Sequence, residues 1–210
     1  FKLINKKINN LSDKEFLSLF GDVTNRIIPH KPSKAINSWI NHSIKKVLNK
    51  NKASMHYLKK SDYVKNNQFK INQYYTYFRC VRSNKIRDVG LIHRDCDFWD
   101  LADEPKLPFK YKERWKLWVP IYGCSTQNSL RLYDRSHLIK NLKISRIKKN
   151  GKIKPFISPE HINNFKRKIV QPFSNFNKEA VLFHDKIAHF GPINKNKNIR
   201  ISAECNIICK

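Results

Sequence analysis

A chain of 210 residues with 40% apolar content, including 13 Phe, 8 Tyr and 4 Trp, can fill one sizeable core, which excludes general disorder and argues against two equal domains. A formal charge of +27, from 43 Lys and Arg against 16 Asp and Glu, favours an anionic partner without naming one, and much of it sits in Lys-Asn-rich text that also reads as a solvated surface. Five cysteines (Cys80, Cys96, Cys124, Cys205 and Cys209) form no CxxC pair, no run approaches about eighteen apolar residues, and Phe1 to Asn10 lacks a signal-peptide pattern; the expectation is a reducing, cytoplasmic setting with no transmembrane segment.

Ser12 followed by Glu15 and by Phe16, Leu17, Leu19 and Phe20 is a capping box opening a short amphipathic helix that Gly21 ends. A second helix is expected over residues 33–50, where Ile36, Trp39, Ile40, Ile44, Val47 and Leu48 recur at helical spacing. The pattern then changes. Residues 74–81 are aromatic and β-rich, and 89–92 form a short strand candidate that delivers His93. Residues 97–113, with Pro105 and Pro108, read as a loop. Strands are expected at 115–122 and 129–133, with a turn at Asp134, Arg135 and Ser136. Residues 140–156 read as a basic hairpin or surface excursion, and 159–170 as a short helix. Residues 180–183 are a clean apolar strand. Over 199–209, Ile199, Ile201, Ala203, Cys205 and Ile207 alternate with Arg200, Ser202, Glu204 and Asn206, a half-buried strand that puts Arg200 and Ser202 on one face. The sum is a mainly β chain with N-terminal helices: one domain over 1–210, a mainly helical buttress over 1–72 and a β core with surface insertions over 73–210.

His93 and Asp95 are alternate residues of an extended segment, so their side chains share a face while Arg94 points away. Such a pair supplies two metal ligands with little ordering cost. Of the eight histidines, His189 is the best third ligand, because it follows a strand and precedes Gly191 at a position where site residues are commonly displayed. His184 competes for that place; it directly follows Phe183 and would otherwise pack beneath the site. Two imidazoles and a carboxylate make a three-ligand face that suits Fe(II) with open positions, and the same set would also accept zinc. Arg200, eleven residues beyond His189, favours iron. Its guanidinium is a rigid fork for a carboxylate, and Ser202 adds a hydroxyl donor on the same face.

These residues carry a resemblance. His93-Arg94-Asp95, Leu117-Trp118-Val119-Pro120-Ile121, Asn128-Ser129-Leu130-Arg131, Ser136-His137, Val181-Leu182-Phe183, His189-Phe190-Gly191, Asn194 and Arg200-Ile201-Ser202 occur in the order found in the Fe(II)- and 2-oxoglutarate-dependent dioxygenases. Over roughly residues 75–208 the chain resembles that superfamily, nearest its phytanoyl-CoA dioxygenase-like branch. The resemblance implies a double-stranded β-helix, a cupin-like jelly roll, with helices buttressing one sheet. It implies His93, Asp95 and His189 as ligands of Fe(II), and Arg200 and Ser202 as partners of the distal carboxylate of 2-oxoglutarate. Lys116, Tyr77 and Asn128 are candidates for a second cosubstrate contact. The implied chemistry is oxidative decarboxylation of 2-oxoglutarate, with dioxygen as partner, coupled to hydroxylation of a substrate C–H bond.

For the substrate, Phe98, Trp99, Phe109 and Tyr111 offer apolar walls, and Arg79, Arg82, Arg87, Arg94, Arg131 and Arg135 offer anion contacts. Together they favour a small polar or acidic metabolite. The alternatives are an oxygenase acting on nucleic acid, a non-enzymatic basic module binding nucleic acid, and a cupin-like isomerase or purely structural jelly roll. Only the first of these uses the metal ligands together with Arg200.

Overall fold

The computed structural model describes residues 2–20, 55–57, 76–99, 113–149 and 152–209. The expected helix over 33–50 lies outside them, as do residues 100–112 of the expected loop and the side chains of Phe109 and Tyr111. Two helices come first. α1 (Lys2–Asn9) was not foreseen; α2 (Asp13–Phe20) is the helix the capping box announced. Ser12 and Glu15 bond reciprocally: the Ser12 amide and hydroxyl donate to Glu15 Oε2 at 2.8 and 2.7 Å, and the Glu15 amide returns a bond to Ser12 Oγ at 3.3 Å.

The remainder is mainly β and antiparallel. β10 (Arg200–Cys209) is the spine of a five-stranded sheet. Along one edge it pairs with β1 (Met55–Tyr57) and then β2 (Thr76–Val81); along the other it pairs with β3 (Glu113–Tyr122), which pairs in turn with β8 (Val181–His184). A three-stranded sheet places β4 (Arg131–Tyr133) between β7 (Ile169–Val170) and β9 (His189–Phe190). The expected basic hairpin forms as β5 (Ser145–Lys149) and β6 (Lys152–Phe156). Pro120 lies inside β3, where a missing N–H would break a regular ladder. The register between β3 and β10 shifts at that point, with Ile201 opposite Tyr122 and Ser202 opposite Pro120, and this bulge tolerates the proline.

Alternation along β10 assigns its two faces. Ile199 and Ile201 pack with Phe16, Cys80, Ile8, Leu11 and Tyr122, so the N-terminal helices cover that side of the sheet. Burial of Phe16 is nearly complete at 1% exposure, worth roughly 1.5–3 kcal/mol. Arg82 ties the same helices to β2. Its guanidinium grips both oxygens of Asp88 at 2.9 Å, reaches Asp13 Oδ1 and the Leu11 carbonyl at 2.7 Å each, and stacks over the Phe16 ring at 4.0 Å. On the other side, Trp118 and Phe183 from the large sheet meet Leu130, Leu132 and Phe173, and this cluster lies between the two sheets.

Three local expectations need correction. Residues 89–92 form no strand: a 3-10 turn at Ile86–Asp88 is held by the Asp88–Arg82 pair, and ladder contact resumes only at His93 as an isolated bridge to His189. The start of the expected loop, residues 97–99, belongs instead to a helical turn, α3 (Cys96–Trp99). The expected helix over 159–170 stops early, as α4 (Pro159–Asn163). Lys166 takes the left-handed conformation (φ 47°), and Ile169 and Val170 then join the small sheet opposite Tyr133 and Leu132.

Candidate metal centre and its cavity

His93 and His189 are brought together by one pair of backbone bonds. The His93 amide donates to the His189 carbonyl at 3.1 Å, and the His189 amide donates back at 2.9 Å. This bridge joins the segment before α3 to the start of β9 and sets the two imidazoles 4.4 Å apart, centroid to centroid. Asp95, two residues along the extended segment, faces the same point. Its Oδ1 lies 3.7 Å from His93 Nε2 and 3.8 Å from His189 Nε2. Those gaps are too long for hydrogen bonds, yet each can be spanned by one ion holding both atoms at about 2.0–2.2 Å.

The protonation pattern suits a metal. Each histidine has Nδ1 against a backbone carbonyl two residues earlier: His93 against Leu91 O at 2.6 Å, His189 against Ile187 O at 2.9 Å. A carbonyl only accepts, so both Nδ1 atoms donate, and the neutral form of each ring has its lone pair on Nε2, facing Asp95. Burial pushes the His93 pKa down to about 3, with His189 beside it acting in the same direction. At Asp95 burial works to raise the pKa, but Lys116 and then the two imidazoles outweigh it and hold the carboxyl well below its usual range. Near neutral pH His93 is therefore a neutral imidazole and Asp95 a carboxylate. Phe98 meets the His93 ring edge-on at 5.3 Å, and Phe183 meets the His189 ring at 5.0 Å.

His184 takes no part. Its Nδ1 accepts the Lys186 amide at 3.1 Å and lies 3.1 Å from Asp185, while its ring packs on Trp115. The competition for the third position is decided by the strand: β8 ends at His184, and only His189 is bridged to His93.

These ligands face a cavity lined by Arg79, His93, Lys116, Trp118, Leu130, Phe183, His189, Gly191, Arg200 and Glu204. Arg200 is buried at 2% exposure, and its Nη1 donates to the Asn128 carbonyl. Gly191 makes room for it: a Cβ there would stand 3.0 Å from Arg200 Nη2 and 3.2 Å from Nη1. Ser202, between Arg200 and Glu204 on the same face of β10, is fully buried, and its hydroxyl has no hydrogen-bond partner among the described residues. A buried hydroxyl without a partner is costly unless a ligand supplies one. The donor set thus fits a divalent metal, and the cradle fits a carboxylate.

The other expected contacts divide. Lys116 lines the cavity and joins two carboxylates, with Nζ 3.2 Å from Asp95 Oδ2 and 3.5 Å from Glu204 Oε2. Tyr77 pairs with Glu204 in the backbone register of β2 and β10. Asn128 does not line the cavity. Its amide donates to Gly123 O and Asn194 Oδ1, both at 2.8 Å, and its contribution is the carbonyl that receives Arg200. Of the six arginines offered for anions, only Arg79 reaches the cavity. Arg82 and Arg87 bind Asp13, Arg94 binds Asp97, Arg131 binds backbone carbonyls near Ser129, and Arg135 is exposed beside Asp134. Glu204, absent from the expected site, pairs with Arg79 at 3.2 Å. Burial works to raise its pKa, and Arg79 and Lys116 together outweigh that and hold it down. Its place on the alternating face of Arg200 and Ser202 was the available signal.

No family model matches this chain, and no curated protein matches it. Among solved structures it is similar to the non-heme alpha ketoglutarate dependent carbocyclase SnoK from nogalamycin biosynthesis, at 14% identity and a TM-score of 0.44, over 96% of this chain and 85% of that one. It is also similar to the non-heme monooxygenase ThoJ, as a nickel complex (12% identity, TM-score 0.36) and in the apo form (13%, 0.38), over 64% of this chain. The chain spans less than half the length of the ThoJ structures, 43% and 45%. Likenesses this low leave the chemistry to be argued from the residues. Among the described residues no helix is long and apolar enough to cross a membrane.

Proposed function

We propose that this chain is a non-haem iron oxygenase that couples oxidative decarboxylation of 2-oxoglutarate to hydroxylation of a small polar or acidic molecule, on a double-stranded β-helix of the phytanoyl-CoA dioxygenase-like kind. One observation carries the reading: His93 Nε2, Asp95 Oδ1 and His189 Nε2 face one point in a cavity that also holds Arg200. Fe(II) bound by these three residues would supply dioxygen activation coupled to conversion of 2-oxoglutarate to succinate and CO2.

The chain's own part is to bind, orient and exclude water. His93 and His189 keep their Nε2 lone pairs available because both Nδ1 protons are held by carbonyls. Asp95 supplies one negative charge, steadied by Lys116 through the oxygen not facing the imidazoles. Arg200 offers a fork to the distal carboxylate, with Gly191 keeping its terminal nitrogens accessible and the Ser202 hydroxyl beside it as a second donor. Trp118, Leu130 and Phe183 form the apolar wall that limits water beside the ligands.

The test is anaerobic addition of Fe(II) and 2-oxoglutarate, followed by oxygen. The wild-type chain should develop a weak visible charge-transfer band and then release succinate in an iron-dependent manner. His189→Ala should weaken metal binding by at least the 10- to 100-fold that loss of a mere outer partner costs, roughly, and abolish both signals. Equal band strength and succinate yield in the variant would sink the proposal.

A further inference from the structure

The geometry points to Arg79 as the residue that receives a carboxylate of the primary substrate, so that the cavity takes two acids: the cosubstrate at Arg200 and a monoanionic substrate at Arg79. This rests on the oxygenase reading and names its substrate class. Arg79 comes from β2, opposite Ser202 in the register, and lines the same cavity as the imidazoles. The position a Cβ on Gly90 would occupy lies 3.5 Å from Arg79 Nη1 and 3.6 Å from His93 Cε1, so the arginine and the ligand ring both border Gly90.

The guanidinium is anchored from behind. Arg79 Nε meets Glu204 Oε1 at 3.2 Å, the only partner it has among the described residues. Glu204 is itself held by Lys116, and Lys116 by Asp95. Asp95, Lys116, Glu204 and Arg79 therefore form a row of alternating charges that starts at the metal ligand and ends on an arginine. Among the described residues Nη1 and Nη2 of that arginine have no hydrogen-bond partner, and the residue lines the cavity. An arginine fixed through Nε and presenting its terminal nitrogens matches a carboxylate in charge and shape.

Charge favours an acid over a neutral carbonyl. Among the described residues around the cavity, Asp95 and Glu204 stand against Lys116, Arg79 and Arg200, which leaves these lining charges cationic. A divalent metal with a doubly charged dicarboxylate adds no net charge. A substrate bearing one carboxylate balances the lining, whereas a phosphate monoester, nearer two charges, overshoots it. The remaining arginines offered by the sequence are engaged elsewhere or exposed, which leaves this role to Arg79.

The experiment uses the full chain loaded anaerobically with Fe(II) and 2-oxoglutarate, and a set of small monocarboxylic acids each paired with its primary amide. Thermal midpoint and perturbation of the charge-transfer band report binding. In the wild type, acids should bind at least about ten-fold more tightly than their amides, the effect of a charge-assisted pair. Arg79→Gln should bring that ratio close to one while leaving the band at full strength. Arg79→Lys, which keeps a cation for Glu204 and so preserves folding, should give an intermediate ratio because the planar fork is lost. A wild type with no acid preference, or a preference that survives in Arg79→Gln, overturns the assignment of Arg79 alone. Absence of the band in the wild type overturns the oxygenase reading beneath it.

Discussion

Lys116 Nζ lies 3.2 Å from Asp95 Oδ2, while the other oxygen of the same carboxylate faces His93 and His189 at 3.7 and 3.8 Å. The two oxygens thus have different work. One is committed to a lysine of β3, and the other is left for the centre. A buried lysine at 6% exposure is retained here because it sits between two carboxylates, Asp95 and Glu204.

Removing that lysine should therefore cost more than its packing. Lys116→Met leaves Asp95 without its cation and Glu204 with Arg79 alone, and a broken buried pair costs about 3–5 kcal/mol. Urea unfolding of the metal-free protein should register a loss of that order. A saturating divalent ion such as Mn(II) should narrow the gap, because it places new positive charge against Asp95. A loss below about 1 kcal/mol, unchanged by the metal, would contradict the ion row.

Gly191→Ala tests the acid cradle without touching a ligand. The added methyl would stand 3.0 Å from Arg200 Nη2, so the guanidinium must shift by a few tenths of an ångström. Binding of 2-oxoglutarate should weaken several-fold, a modest share of the roughly hundred-fold that a full 1 Å misplacement can cost. Affinity for Mn(II) alone should stay unchanged. Calorimetric titration of each ligand separates the two, and parallel losses would show that the cradle is not distinct from the metal centre.

Acid should destabilise the metal-free protein from near neutrality downward. The His93 pKa lies at about 3 in the fold, against an ordinary value of 6.5. Between those values the unfolded chain binds more protons than the native one, so stability rises with pH and is lost as pH falls through that window. Asp95 and Glu204 are both depressed, which adds loss in the same direction below their ordinary carboxylate range. Denaturant midpoints should fall between about pH 6.5 and pH 5, and His93→Gln should flatten that slope. An unaltered slope in the variant would mean that His93 is not the buried neutral group described here.

Much of the fold was legible because its signals are local. The capping box at Ser12 and Glu15 formed as read, and the alternation from Ile199 to Cys209 became the spine of the large sheet. The helix at Lys2–Asn9 was missed because its apolar stripe is short, and its Ile8 side chain gains meaning only against Phe16, Cys80 and Ile199. Residues 89–92 were misread as a strand because β propensity says nothing about whether a partner strand lies alongside; the Arg82–Asp88 pair bends the chain there instead. The overlong helix after Pro159 failed for the same reason, since Ile169 and Val170 found the edge of β4.

What the sequence determined alone was the set of chemical parts: a His-x-Asp pair on an extended segment, a later histidine before a glycine, and an arginine and a serine on one face of a strand. Residue identity and two-residue periodicity suffice for that, because both are properties of adjacent positions. Only the tertiary structure bridged His189 to His93, turned Asn128 from a ligand contact into a carbonyl prop for Arg200, and brought Arg79, of six arginines, to the cavity with Glu204 behind it. Those choices depend on which strands lie side by side and on which charges share a buried space. The energy of such pairings resides between residues distant in the chain, and no local pattern encodes it.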